Sequence, residues 1–201
     1  MKAEQRRQNI LECAKRLFSV YGFYRTQISD IIKEAGIARG TIYQYFENKQ
    51  DIFITLLENA YQQWEENISQ AVSRIDLKRI SAKSYLRLRV KTTLDFLVSD
   101  PDICNIVMSM GFGLPAELEA ATRRLEEKIR IIAINDFKLG IHNHHIHSDL
   151  NIERFAEMIA GAIFRSAFHA LARANKNSRE VDVDTLADDF VTLFAPGIFQ
   201  S

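Results

Sequence analysis

Proline and cysteine are scarce in this chain, net charge is absent, and no apolar run reaches membrane-spanning length. The two cysteines, Cys13 and Cys104, lie far apart, which excludes a metal site built from the pair and suits a reducing compartment. Crossing a bilayer takes about 20 consecutive apolar residues, and nothing here approaches that. The first residues, MKAEQRRQNILECAK, are charged throughout and lack the apolar stretch of a secretory signal. The expected location is therefore the cytoplasm, with no membrane partner. Gly-rich phosphate loops, nucleophile elbows and helical His-Glu-x-x-His pairs are missing as well. Neither catalysis nor a cofactor is expected.

The composition that remains, 47% hydrophobic and 26% charged over 201 residues, is that of a folded globular protein long enough to bury a substantial core. The net charge of zero conceals an asymmetry. Residues 1–50 carry nine Lys/Arg against five Asp/Glu, and the remainder carries seventeen against twenty-one. A basic end on a neutral chain can meet a polyanion locally without general stickiness.

With three prolines and eight glycines there are few breaks, strand-like alternation is rare, and apolar residues recur at helical spacing. The pattern predicts an all-α fold. Ile10, Leu11, Ala14, Leu17, Phe18 and Tyr21 share one face of a first helix ended by Gly22. A short helix over 27–35 follows, with Thr26 as its N-cap and Asp30 in its first turn. Gly36 breaks it. Ile37, Ile42 and Phe46 then give a third short helix enough apolar surface to dock, and a long helix starts near Asn48. Further helices read at 78–99, 102–110, 115–139, 151–174 and 184–195. Residues 1–47 form a head and 48–201 a helical body.

Two short helices joined by a glycine-containing turn, the second polar on one side, make a helix-turn-helix. Such a recognition helix offers one face to its own domain and the other to the major groove. Ile42 and Phe46 face inward. Arg39 can donate to guanine in a bidentate manner and Gln44 can pair with adenine, so these two are the base-reading candidates. Gly40 leaves room for backbone N–H groups to approach a phosphate. Thr26, Tyr43, Tyr45 and Lys49 are candidate phosphate clamps, which fix register without reading sequence; Thr41 adds a donor on the same face.

The stretch YGFYRTQISDIIKEAGIARGTIYQYFENKQDIF resembles the amino-terminal signature of the tetracycline-repressor (TetR) family of bacterial regulators. The match runs through Gly22-Phe23, Thr26, Ile28-Ser29-Asp30-Ile31, Ala35-Gly36-Ile37, Gly40-Thr41-Ile42-Tyr43 and Tyr45-Phe46-Glu47-Asn48-Lys49. It departs at Gln27 and Ala38, where many members carry a second Thr and a Ser cap. Gln27 can replace a hydroxyl contact to phosphate, and Ala38 provides no side-chain cap.

The resemblance implies about nine helices and a homodimer formed by the last two. It also implies a double-stranded, palindromic DNA operator and repression relieved when the body binds a small effector. Small residues Ala156, Ala160, Gly161, Ala162, Ala167 and Ala170 would let helices approach closely, with Leu186, Phe190, Leu193 and Phe194 as the facing stripe. An abundance of apolar and aromatic side chains points to a lipophilic effector. Candidate liners are Trp64, Tyr85, Leu88, Thr92, Phe96, Met108, Met110, Phe112, Phe137 and Phe168, with Arg165 and His169 as buried polar groups to orient it. The run His142, His144, His145 and His147 supports an alternative, an all-helical metal-binding protein, against the simpler reading of a solvated interhelical loop.

Overall fold

A computed structural model describes residues 3–77, 79–109, 114–177 and 179–199. Among these residues the chain is all-α: α1 (Ala3–Arg25), α2 (Ile28–Ala35), α3 (Arg39–Ile42), α4 (Lys49–Ser73), α5 (Ala82–Ser99), α6 (Pro101–Ser109), α7 (Ala116–His142), α8 (Ile152–Asn177) and α9 (Val183–Ile198). No described helix is long and apolar enough to cross a membrane.

The chain divides into two compact units, one of Met1–Gln62 with Asp102–Leu125, the other of Gln63–Pro101 with Glu126–Ser201. The first is centred on three phenylalanine rings. Phe18 meets Phe53 edge-on with centroids 5.3 Å apart, and Phe23 meets Phe53 at 5.2 Å, the geometry that aromatic quadrupoles favour. Gly22 puts Phe23 there. Its φ of 77° lies inside α1, a left-handed conformation that L side chains resist, so the helix expected to end at Gly22 instead kinks and continues to Arg25.

Gly36 closes α2 with φ 63°. The Ile37 amide donates back to the Ile32 carbonyl at 3.2 Å, a Schellman-type stop. Thr26 was expected as the N-cap of α2, and here the structure differs. Gln27 occupies the cap, and its backbone N–H donates to the Asp30 carboxylate at 2.8 Å. Thr26 is instead buried, its hydroxyl donating to the Gly22 carbonyl at 2.9 Å with the Leu17 carbonyl at 3.2 Å. It secures the kinked end of α1. Asn48 caps α4 as read from the sequence, accepting from the Asp51 amide at 2.8 Å.

In the second unit α5 packs against α8 and α9. Arg87 on α5 clasps Asp188 at 2.6 Å and Asp184 at 3.0 Å on α9, and Lys91 reaches Asp184 at 3.2 Å. The histidine run does not gather into a site: α7 extends through His142, and residues 143–151 turn back so that Ile146 pairs with Phe199. Gly140 permits that return, because a Cβ there would collide with the Ile146 side chain. Among the described residues no three His, Cys, Asp or Glu side chains are grouped to hold a metal.

Phe53 is fully buried at the centre of the ring cluster. Phe53→Ala is expected to destabilise the first unit by about 3–5 kcal/mol, read as a lower urea midpoint in far-UV circular dichroism. A loss below about 1 kcal/mol would mean that the rings do not anchor it.

Candidate DNA-reading surface and effector chamber

α3 has only four residues, and it is followed by hydrogen-bonded turns, Gln44 N–H to Thr41 at 3.2 Å and Phe46 N–H to Ile42 at 3.0 Å. A helix this short is not stable by itself. Docking holds it: Ile42 and Phe46 are almost wholly buried, and the Arg7 guanidinium lies 5.2 Å above the Phe46 ring. With those two side chains inward, Arg39, Gly40, Tyr43 and Gln44 are exposed, and Thr41 and Tyr45 are half-buried at its edges. Gln27 is exposed at the start of α2. A Cβ at Gly40 would meet nothing within 4 Å, so packing within the chain does not require glycine at that position.

Lys49, the first residue of α4, has a second attachment that the sequence does not reveal. Its ammonium donates to the carbonyls of Phe23 and Thr26, both at 2.8 Å, and sits 4.3 Å from the Phe23 ring centroid. Burial pushes its pKa down, the sign expected of a partly desolvated ammonium. Lys49 thus closes the C-terminal end of α1, where carbonyls are left without helical partners and the dipole favours a cation. As expected clamps, Thr26 and Lys49 both have their side-chain donors directed into the protein's own backbone, unlike exposed Tyr43.

A cavity of about 210 Å³ lies inside the second unit, bounded by α4, α5, α7, α8, the 143–146 turn and Phe199. Three expected liners, Trp64, Tyr85 and Phe137, are in its wall. Leu88, Thr92 and Phe96 are not. On α5 the wall is made by Ala82, Tyr85, Leu86, Arg89, Val90 and Thr93, one face at 3.6-residue spacing, and the other three lie off it. Met108 belongs to α6 in the first unit, while Met110 and Phe112 lie outside the described residues.

Arg165 and His169 were expected as buried polar groups, and the structure corrects this: both are exposed on α8. Ile163 lines the cavity, and Arg165 is displaced by roughly 200° around the helix from it. Phe168, half-buried, stacks with the Arg165 guanidinium at 5.8 Å and does not line the cavity.

The cavity's polar groups are different ones. Arg89 donates through Nε to Asp136 at 3.1 Å, Tyr85 donates its hydroxyl to the other Asp136 oxygen at 3.2 Å, and Trp64 donates to Thr93 at 3.3 Å. Burial raises the pKa of Asp136, opposed by the Arg89 charge and the Tyr85 hydrogen bond. The sequence did hold a signal for this group, an arginine four residues after Tyr85 on α5 and an aspartate inside the apolar run IIAINDF of α7.

Comparison with known proteins places these features in company. The sequence model of the bacterial regulatory proteins of the tetR family matches residues 10–56. The fatty acid metabolism regulator protein of Bacillus subtilis (strain 168) is 26% identical over 196 residues, 94% of this chain and 93% of that protein. The HTH-type transcriptional repressor KstR2 of Rhodococcus jostii (strain RHA1) is 23% identical over 96% of this chain and 91% of that protein. Among solved structures, the regulator FadR from Bacillus subtilis in complex with stearoyl-CoA superposes with a TM-score of 0.76. It is 25% identical, covering 95% of this chain and 98% of that one.

Lys49→Met would keep the stem against Phe23 and delete both ammonium hydrogen bonds. A loss of about 2 kcal/mol in stability without DNA is expected, since bonds to charged groups contribute roughly 1.5–3 kcal/mol each and water replaces part. Unchanged stability in thermal unfolding would restrict Lys49 to contacting phosphate.

Proposed function

The chain belongs to the TetR family of bacterial DNA-binding transcriptional regulators, and on that premise we propose that it is a homodimeric repressor released from a palindromic operator by a long-chain acyl compound. The observation that carries the DNA-binding half is the division of the 39–46 segment into a buried pair, Ile42 and Phe46, and an exposed set, Arg39, Gly40, Tyr43 and Gln44. Arg39 and Gln44 read bases; Tyr43, Tyr45, Thr41, Gln27 and the Gly40 backbone hold phosphates. Lys49 and Thr26 act mainly by fixing the backbone that carries these donors.

Dimerisation through α8 and α9 is supported by apolar side chains that the single chain leaves uncovered, Leu193 at 75% and Met158 at 54% exposure. Two heads related by a two-fold axis would read half-sites about 34–36 Å apart. The effector reading rests on the apolar cavity and on the acyl-CoA held by the similar Bacillus regulator. Trp64 and Ile68 of α4 line that cavity, and the same helix begins at Lys49. Filling the cavity therefore bears on the helix that secures the head, and release follows from a shift of α4.

Electrophoretic retardation of the DNA upstream of its own gene should give a salt-sensitive shift that long-chain acyl compounds abolish. Tyr43→Ala should weaken every site by about tenfold, and Gln44→Ala should relax one base position. Binding untouched by both changes would displace the recognition segment from 39–46. Leu193→Glu should shift sedimentation from dimer to monomer, and a persistent dimer would remove α9 from the interface.

A further inference from the structure

On the reading of the cavity as the effector site, the ion pair in its wall decides which polar group an occupant can carry inward. Arg89 and Asp136 are the only Arg, Lys, Asp or Glu among the described residues of that wall, and their side chains are 14% and 29% exposed. Exposure of the lining falls from Leu77 and Leu139, at 60% and 59%, to Trp64 and Val90, both at 1%. The pair therefore stands between an open rim and a closed floor.

A guanidinium carries N–H donors on all three of its nitrogens. In Arg89 only Nε is engaged, donating to Asp136 at 3.1 Å, and the terminal nitrogens have no acceptor among the described residues. The other polar groups at this depth are already used. Tyr85 donates to the second Asp136 oxygen at 3.2 Å, while the Thr93 hydroxyl takes the Trp64 N–H at 3.3 Å and donates to the Arg89 carbonyl at 3.0 Å. Asn143 and His145 are exposed at the rim. Charge and hydrogen bonding then make separate demands. The Arg89 charge is cancelled by Asp136, so a carboxylate arriving there would be buried as a third charge beside a like one. A neutral carbonyl oxygen accepts from the same N–H groups without adding a charge, and a bond from an ionised donor is stronger than one between neutral groups. An occupant with no acceptor would cover the guanidinium and leave it unsatisfied.

We propose that Arg89 is the specificity-determining residue of the cavity, its terminal N–H groups selecting an occupant by a neutral carbonyl oxygen, and that Asp136 is the positioning residue that cancels the charge which would otherwise draw in a carboxylate. Removing that one charge should exchange the selectivity.

Trp64 is the only tryptophan and lines the cavity, so its fluorescence reports occupancy in the full-length protein. Methyl laurate and laurate, one chain with a neutral or an ionised end, are titrated separately at neutral pH. The unaltered protein should bind methyl laurate about tenfold more tightly than laurate. Asp136→Asn keeps an oxygen to accept from Arg89 and Tyr85. In that variant the order should reverse, with laurate binding about tenfold more tightly than it does to the unaltered protein. The double variant Arg89→Gln, Asp136→Asn should lose this gain, and its affinity for methyl laurate should fall about tenfold. Laurate bound as tightly as methyl laurate by the unaltered protein, an order unchanged in Asp136→Asn, or a laurate gain that survives in the double variant overturns the assignment while leaving the cavity reading standing. No Trp64 response to either probe overturns both. The comparison on the unaltered protein needs no substitution, and thermal unfolding of each variant separates a loss of fold from a change of preference.

Discussion

A four-residue helix cannot hold itself in shape, and the candidate DNA-reading surface depends on that constraint. Nucleating a helix fixes several dihedrals for one hydrogen bond, so α3 exists because Ile42 and Phe46 are buried, not because its sequence prefers to be helical. Ala38 gives it no side-chain cap, and Gly40 disfavours it further. Its position is therefore inherited from the neighbours that receive those two side chains. The neighbours are fixed in turn by features inside the same unit: the left-handed Gly22 that lets α1 kink, the edge-packed rings of Phe18, Phe23 and Phe53, and the Lys49 ammonium bonded to the Phe23 and Thr26 carbonyls.

The second unit solves a different problem. An apolar cavity that also contains an arginine and an aspartate is tolerable only if the two satisfy each other, because a lone buried charge is costly. Tyr85 supplies the other hydrogen bond to Asp136, so both carboxylate oxygens have donors. The result is a mostly apolar wall whose Arg89 and Asp136 charges satisfy each other, with Thr93, Asn143 and His145 as further polar side chains along it.

Much of this was legible in the sequence because helical periodicity and glycine placement act locally. The element order, Asn48 as a cap and the burial of Ile42 and Phe46 all follow from spacing. What could not be read depends on which way a helix is rotated in its surroundings. Leu88, Thr92 and Phe96 are as apolar or as helical as their neighbours, yet the cavity face of α5 runs through Tyr85, Arg89 and Thr93. Arg165 and His169 interrupt the mostly apolar middle of α8, and they are exposed because they share with Arg173 the helix face turned away from the core. Thr26 and Lys49 were legible as types but not as partners, since Lys49 bonds to carbonyls 23 and 26 residues earlier.

The magnitudes explain how a small displacement could regulate so short a recognition element. A bidentate base contact supplies about 1–3 kcal/mol of discrimination, and coupling between two sites in allosteric proteins is commonly about 1–3 kcal/mol. On the repressor reading, the effector need not unfold a head or swing it far. Misaligning Arg39 or Gln44 by enough to lose one such contact per half-site already matches the coupling. A rigid docked element is suited to this, because Ile42 and Phe46 in a close-packed site move with their surroundings and carry the exposed donors with them. On that reading the stability of α3 and its response to the effector have one origin: its geometry is set almost entirely from outside itself.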